Sequence, residues 1–154
     1  MRDLTRIARC GVAPGGSQGI RRAGDAGRAT VMGVSDLRRA RFGRLVRRAL
    51  ADLPPTFGER MRNVEIVVED DPDPARCEPG QTLLGLYEGV PLTDRWGGEP
   101  YLPDRITIYR RPIEAMSTSP RMQAKIVRDT VVHEVAHHFG ISDARLSELG
   151  LGDG

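Results

Sequence analysis

Cysteine is scarce in this chain of 154 residues: Cys10 and Cys77 stand far apart and in no paired spacing, which excludes a disulfide scaffold and a cysteine zinc cluster alike. A reducing compartment is the expectation. Long apolar runs are missing as well, since no stretch approaches the roughly 18 residues that a spanning helix needs. The N-terminal MRDLTRIARCGVAPGG also lacks the apolar core of a secretory signal. These absences point to a cytoplasmic protein with no membrane partner. Net charge is small too, 23 basic against 21 acidic residues, so no global field gathers nucleic acid or lipid. Internal repeats are absent, and histidine is rare: His133, His137 and His138 are all there are.

What remains is the composition of one ordinary globular domain, 39% hydrophobic and 29% charged. The expected organisation is a disordered tail over residues 1–34 and a single domain over 35–154. The first 33 residues hold 7 of the 18 glycines and 6 arginines against 2 acids, with no periodic apolar pattern. Met32 is a candidate for the true start of the protein, which puts the tail upstream of it.

From Ser35 onward a helical pattern sets in. Phe42, Leu45, Val46, Ala49, Leu50 and Leu53 recur at the spacing of one helix face, with Ser35 or Asp36 as the cap and Pro54–Pro55 as the stop. Arginines fill the opposite face, read as a solvated surface. VEIVVE, Val64 to Glu69, alternates as a half-buried strand. The aspartates that follow, Asp70, Asp71 and Asp73, lack the spacing of a calcium loop and read as a turn. Further strands are expected at Thr82 to Tyr87 and Arg105 to Arg110, separated by a long loop that carries Trp96. Ser119 then caps, and Pro120 opens, a helix running to Gly140, followed by a short helix with Leu146 and Leu149. This order predicts an α+β fold, a small sheet packed on helices.

Chemistry concentrates in that last long helix, in VVHEVAHHFGISD. His133 and His137 are four residues apart, so both imidazoles rise from one face and can reach a single metal ion. Glu134 is rotated to the side of that ion, placed to act as a base. Gly140, at the position after the helix, suits a left-handed turn that sends the chain back. Asp143 follows closely enough to bring a carboxylate to the same ion, with Glu148 as the alternative acid. His138 lies about 100° around the helix and cannot easily join. A third protein ligand must therefore be an acid or a cysteine.

The stretch HEVAHHFGISD resembles the H-E-x-x-H-x-x-G-x-x-D signature of the small bacterial zincin-like metallopeptidases, the minimal zincins. LGLYEGVPLTDR, Leu84 to Arg95, and ITIYRRPIE, Ile106 to Glu114, resemble the same family, and the likeness covers roughly residues 36–150. The resemblance implies a compact fold with a small mixed sheet and an active-site helix near the C-terminus, one zinc ion and peptidase activity. It makes His133, His137 and Asp143 the ligands and Glu134 the general base. A bacterial source is in keeping with Lys125 being the only lysine among the 23 basic residues. The larger metzincin group has a methionine turn, whereas the 11 residues after Asp143 include no methionine. The helix at 142–149 is expected to replace that floor.

The expected function is thus zinc-dependent hydrolysis of a peptide or protein substrate by a monomer, without nucleic acid. Tyr87, Tyr101, Tyr109 and Arg145 are candidates to stabilise the oxyanion, and Asp129, one turn before His133, to orient it. Two other readings compete. One is a non-catalytic binding module with zinc; the other is a metal-dependent ribonuclease, whose H-x3-H-x5-H site differs by a third histidine.

Overall fold

The computed structural model describes residues 7–8, 33–97 and 102–148. Five helices and five strands appear among them. Of the segment expected as a tail, the described residues are Ile7–Ala8, strand β1, and Gly33–Val34; the rest of that expectation, Met32 included, lies outside the described residues.

Helix α1 (Val34–Ala51) opens one turn earlier than expected, because Gly33 and not Ser35 or Asp36 takes the cap position. Asp36 acts from inside the first turn instead, its Oδ2 accepting the Gly33 N–H at 3.1 Å. The inward face is the predicted one: Phe42, Val46 and Ala49 are buried, while Leu45, Leu50 and Leu53 pack at the margin. Pro54 and Pro55 end α1 but also start α2 (Pro55–Arg60), since a proline that cannot continue one helix is well suited to position N1 of the next. Six residues are too few to show a period, which is why the sequence reading passes over α2.

Strand β2 (Val64–Glu69) has the predicted bounds and runs parallel to β5 (Asp104–Tyr109), which begins one residue before the expected strand. The strand expected at Thr82 to Tyr87 is two pieces: β3 (Gln81–Thr82), paired with β1, and β4 (Gly85–Glu88), antiparallel to β5. The main sheet is therefore mixed, in the order β2-β5-β4. Directly after β5 comes α3 (Arg110–Met116), an element the sequence reading does not contain. Its buried Arg110 joins Asp70 and Glu114, each at 2.9 Å, and ties the start of the helix to the end of β2. The Arg110 hydrogen bond holds the Asp70 carboxyl below the usual carboxylate range.

Helix α4 (Pro120–His138) begins as predicted, Ser119 Oγ accepting from Met122 N–H at 3.2 Å with Pro120 in the first turn. It lies against α1, α3, β4 and β5. Val127, Val131 and Val135 of α4 meet Ile106 and Ile108 of β5, Leu84 and Tyr87, and the α1 face to form the main core. A smaller cluster of Leu83, Leu86 and Tyr109 occupies the other face of the sheet, with Cys77 at its edge. Helix α5 (Asp143–Glu148) closes the described chain, with Leu146 buried; Leu149 lies outside the described residues. The result is the α+β arrangement that the element order implies. Among the described residues no helix is long and apolar enough to cross a membrane.

Candidate metal centre

The last two turns of α4 are almost entirely inside the protein. His133, Glu134, His137 and His138 are all buried there, an unusual load of ionisable groups for so short a stretch. Buried polar groups need partners, and for His133 and His137 they come from the turn that follows the helix and the residue after it.

That turn is a complete Schellman motif. Gly140 takes φ +80°, its N–H bonds to the His137 carbonyl at 2.9 Å, and Ile141 N–H reaches the Ala136 carbonyl at 3.0 Å. A side chain at Gly140 has no room either, because an added Cβ lies 2.8 Å from Thr93 Cγ2. The reversal places Ser142 before α5, where its carbonyl accepts from Leu146 N–H at 2.9 Å. Asp143, first in α5, is thereby turned back onto α4.

Three donor atoms converge as a result. Asp143 Oδ1 stands 2.9 Å from His133 Nε2 and 3.2 Å from His137 Nε2, and the three ligand atoms all lie within 4.8 Å of one another. Donors bound to zinc at about 2.0–2.1 Å in a tetrahedron are about 3.3 Å apart, so the set fits one small ion. His137 also has its second nitrogen employed: Nδ1 lies 3.1 Å from the Ile141 carbonyl. An N–H there donates to that oxygen and fixes the tautomer in which Nε2 carries the lone pair. The side chain of Asp143 is 50% exposed, against 2% for His137, so the acid is on the solvent side of the trio.

Glu134 stands outside this cluster, fully buried between α4 and β4. Its neighbour is Gly85, where an added Cβ falls 2.6 Å from Glu134 Oε1 and 2.8 Å from Thr130 Cγ2. The glycine is thus the space into which the carboxylate fits.

The remaining candidates are dispersed. Glu148 pairs with Arg145 at 2.7 Å on the surface, so neither belongs to the donor cluster. Asp129 does not orient His133 but bonds the Lys125 ammonium at 2.6 Å, an exposed pair one turn apart. The Tyr87 hydroxyl donates to Asp104 at 2.9 Å, and burial, reinforced by that bond, holds its phenol above the ordinary tyrosine range. Tyr109 is on the sheet face away from α4, where burial and the nearby Glu69 push it up to about 12. Tyr101 lies outside the described residues.

Sequence reasoning excluded His138 from the metal trio but did not find what it does. Its Nδ1 is 2.6 Å from Asp104 Oδ2, and both residues are wholly buried. The available signal was an aspartate at the mouth of an apolar strand, DRITIY, where a buried charge requires partners.

A family model described as zincin-like metallopeptidase matches residues 61–152. No curated protein matches. Among solved structures the chain is similar to a conserved hypothetical protein from Thermo thermophilus, at 22% identity and a TM-score of 0.47, over 73% of this chain and 96% of that one.

Proposed function

Since the chain belongs to the zincin-like metallopeptidase family, we propose that it is a zinc-dependent peptidase in which His133, His137 and Asp143 hold the ion and Glu134 is the general base. The observation that carries this reading is the convergence of the three donor atoms within 4.8 Å at a Gly-turned helix end.

A zinc ion held there supplies Lewis acidity toward a peptide carbonyl and makes a water more acidic. The protein's own groups do the rest. Glu134 takes the proton of the attacking water on a carboxylate oxygen and passes it to the departing amine. His137 is kept in the correct tautomer by Ile141, and Asp143 lowers the charge that the two imidazoles alone would leave on the ion.

The substrate is an extended peptide or protein segment. Among the described residues the order β2-β5-β4 leaves the outer side of β4 as a sheet edge, and Gly85 of that strand lies against Glu134. A peptide that adds to β4 as a further strand is therefore carried past the general base, with main-chain hydrogen bonds supplying affinity.

The test combines metal analysis with cleavage of a mixed peptide library. Wild type is expected to hold one zinc and to cleave; Glu134→Gln keeps the zinc and loses about 10²–10⁴ of the rate. Full turnover in Glu134→Gln removes that residue from the mechanism. Zinc without cleavage in the wild type transfers the reading to a binding module, and zinc-dependent cutting of RNA transfers it to a ribonuclease.

A further inference from the structure

Asp104 accepts from three side chains at once, and the chemistry above leaves it without a role. Its side chain is 1% exposed. Oδ2 accepts from His138 Nδ1 at 2.6 Å, from the Tyr87 hydroxyl at 2.9 Å and from the Arg95 guanidinium, while Oδ1 faces the Val90 N–H at 3.4 Å. The Asp104 N–H is fixed in turn by the Asn63 carbonyl at 3.0 Å. One carboxylate thus joins β4, the loop after it, the start of β5 and the end of α4.

The connection to α4 is the informative one. His138 Nε2 meets no hydrogen-bond partner among the described residues, so Asp104 is the only polar anchor of that ring. His138 immediately follows His137, and its turn of helix continues into the Schellman motif that delivers Asp143. Arg95 adds a second grip: its Nε donates to the Val90 carbonyl at 2.9 Å, which braces the loop whose Thr93 fills the space beside Gly140. The carboxylate therefore holds both the helix end and the loop packed on the turn after it.

We propose that Asp104 is the positioning residue of the metal centre: through His138 and Arg95 it sets the rotation of the last turn of α4, and with it the places of His137 Nε2 and Asp143 Oδ1. This rests on the reading of His133, His137 and Asp143 as metal ligands. Partners bonded directly to metal ligands typically govern affinity by 10–100-fold, because a small rotation of a donor is felt directly by the ion, and Asp104 acts on the same donors through the helix turn that His138 shares with His137.

The experiment measures zinc affinity by chelator competition and the visible spectrum of the cobalt-substituted protein, far below the melting temperature of every variant. It uses the full chain as wild type, Asp104→Asn, His138→Gln and Ile113→Ala. Ile113 is buried in α3 and makes none of the hydrogen bonds of Asp104, His138 or Arg95, so its variant is the control for lost stability. The expected result is a zinc affinity 10–100-fold weaker and a changed cobalt spectrum in Asp104→Asn and His138→Gln, with Ile113→Ala like wild type in both. Wild-type affinity and spectrum in the folded Asp104→Asn protein overturn the proposal, and if that variant does not fold the same result in His138→Gln does so. A wild type that binds no zinc overturns the metal reading itself.

Discussion

Alanine at position 140 tests the turn on which the whole site depends. Gly140 has φ +80°, a conformation that costs an L-residue about 1–2 kcal/mol. A methyl group there also meets Thr93, with Cγ2 at 2.8 Å and Cβ at 3.0 Å, contacts tighter than real Cβ atoms tolerate. Overpacking of that kind costs about 1–3 kcal/mol. Gly140→Ala is therefore expected to destabilise the metal-free protein by about 2–5 kcal/mol, equivalent to a fall of roughly 4 °C in Tm per kcal/mol for a domain of this size.

The two contributions separate in a double-mutant cycle with Thr93→Ala, which removes the Thr93 hydroxyl and methyl and leaves the backbone conformation untouched. Most of the steric part, about 1–3 kcal/mol, should return in the double variant, only the 3.0 Å approach to the Cβ of residue 93 remaining, and the conformational part, about 1–2 kcal/mol, should stay lost. The assay is urea unfolding with a chelator present, so that zinc does not mask the folding term. Zinc affinity, measured separately, should fall as well, because the turn that carries Asp143 has to shift. A Gly140→Ala loss below about 0.5 kcal/mol, within the range of an ordinary surface change, refutes the reasoning outright. Complete rescue by Thr93→Ala refutes the conformational half.

Two further outcomes follow from groups whose ionisation the fold alters. Asp70 has its carboxyl lowered from 3.8 by Arg110, so its contribution is present above the unfolded value and is lost as pH falls through the folded one. Asp70→Asn should cost at most about 1 kcal/mol at pH 7, because the carboxylate is partly solvated, and flatten the decline of the urea midpoint below about pH 4; an unchanged acid limb contradicts this. Tyr109 has its phenol raised from 10.0 to about 12, chiefly by burial, so its contribution is complete below pH 10 and disappears as pH rises toward 12. Tyr109→Phe should make stability less sensitive to alkali, and a denaturation profile from pH 9 to 12 that matches wild type counts against that assignment.

Much of this architecture is legible where a single physical signal is strong. The α1 face, the alternation of Val64 to Glu69 and the Ser119–Pro120 start of α4 appear where expected, because period and capping are local properties. The turn at Gly140 is legible for the same reason, since only its own φ and two hydrogen bonds are involved. Short elements are not. Helices α2 and α3 have six and seven residues, too few for a period, and α3 is secured by the distant Asp70 acting on Arg110. The split of 82–87 into β3 and β4 depends on two different pairing partners, and pairing is not a local property.

The site divides in the same way. His133 and His137 can be placed from helix geometry, and Asp143 from a turn, but Asp104 reaches His138 across 34 positions of chain. That long connection explains why LGLYEGVPLTDR is as much a part of the centre as HEVAHHFGISD. Gly85 makes room for Glu134, Tyr87 and Arg95 bind Asp104, Gly89 approaches the Asp104 carboxylate too closely for any side chain, and Thr93 occupies the space at Gly140. Two glycines of that segment let backbone close on the buried acids, Gly85 on Glu134 and Gly89 on Asp104, at a distance only glycine allows, while side chains complete the surroundings of Asp104. The glycines of that segment and the acids beneath them therefore form one construction, with Glu134 set against Gly85 and Asp104 bonded to the end of the helix that carries His133 and His137.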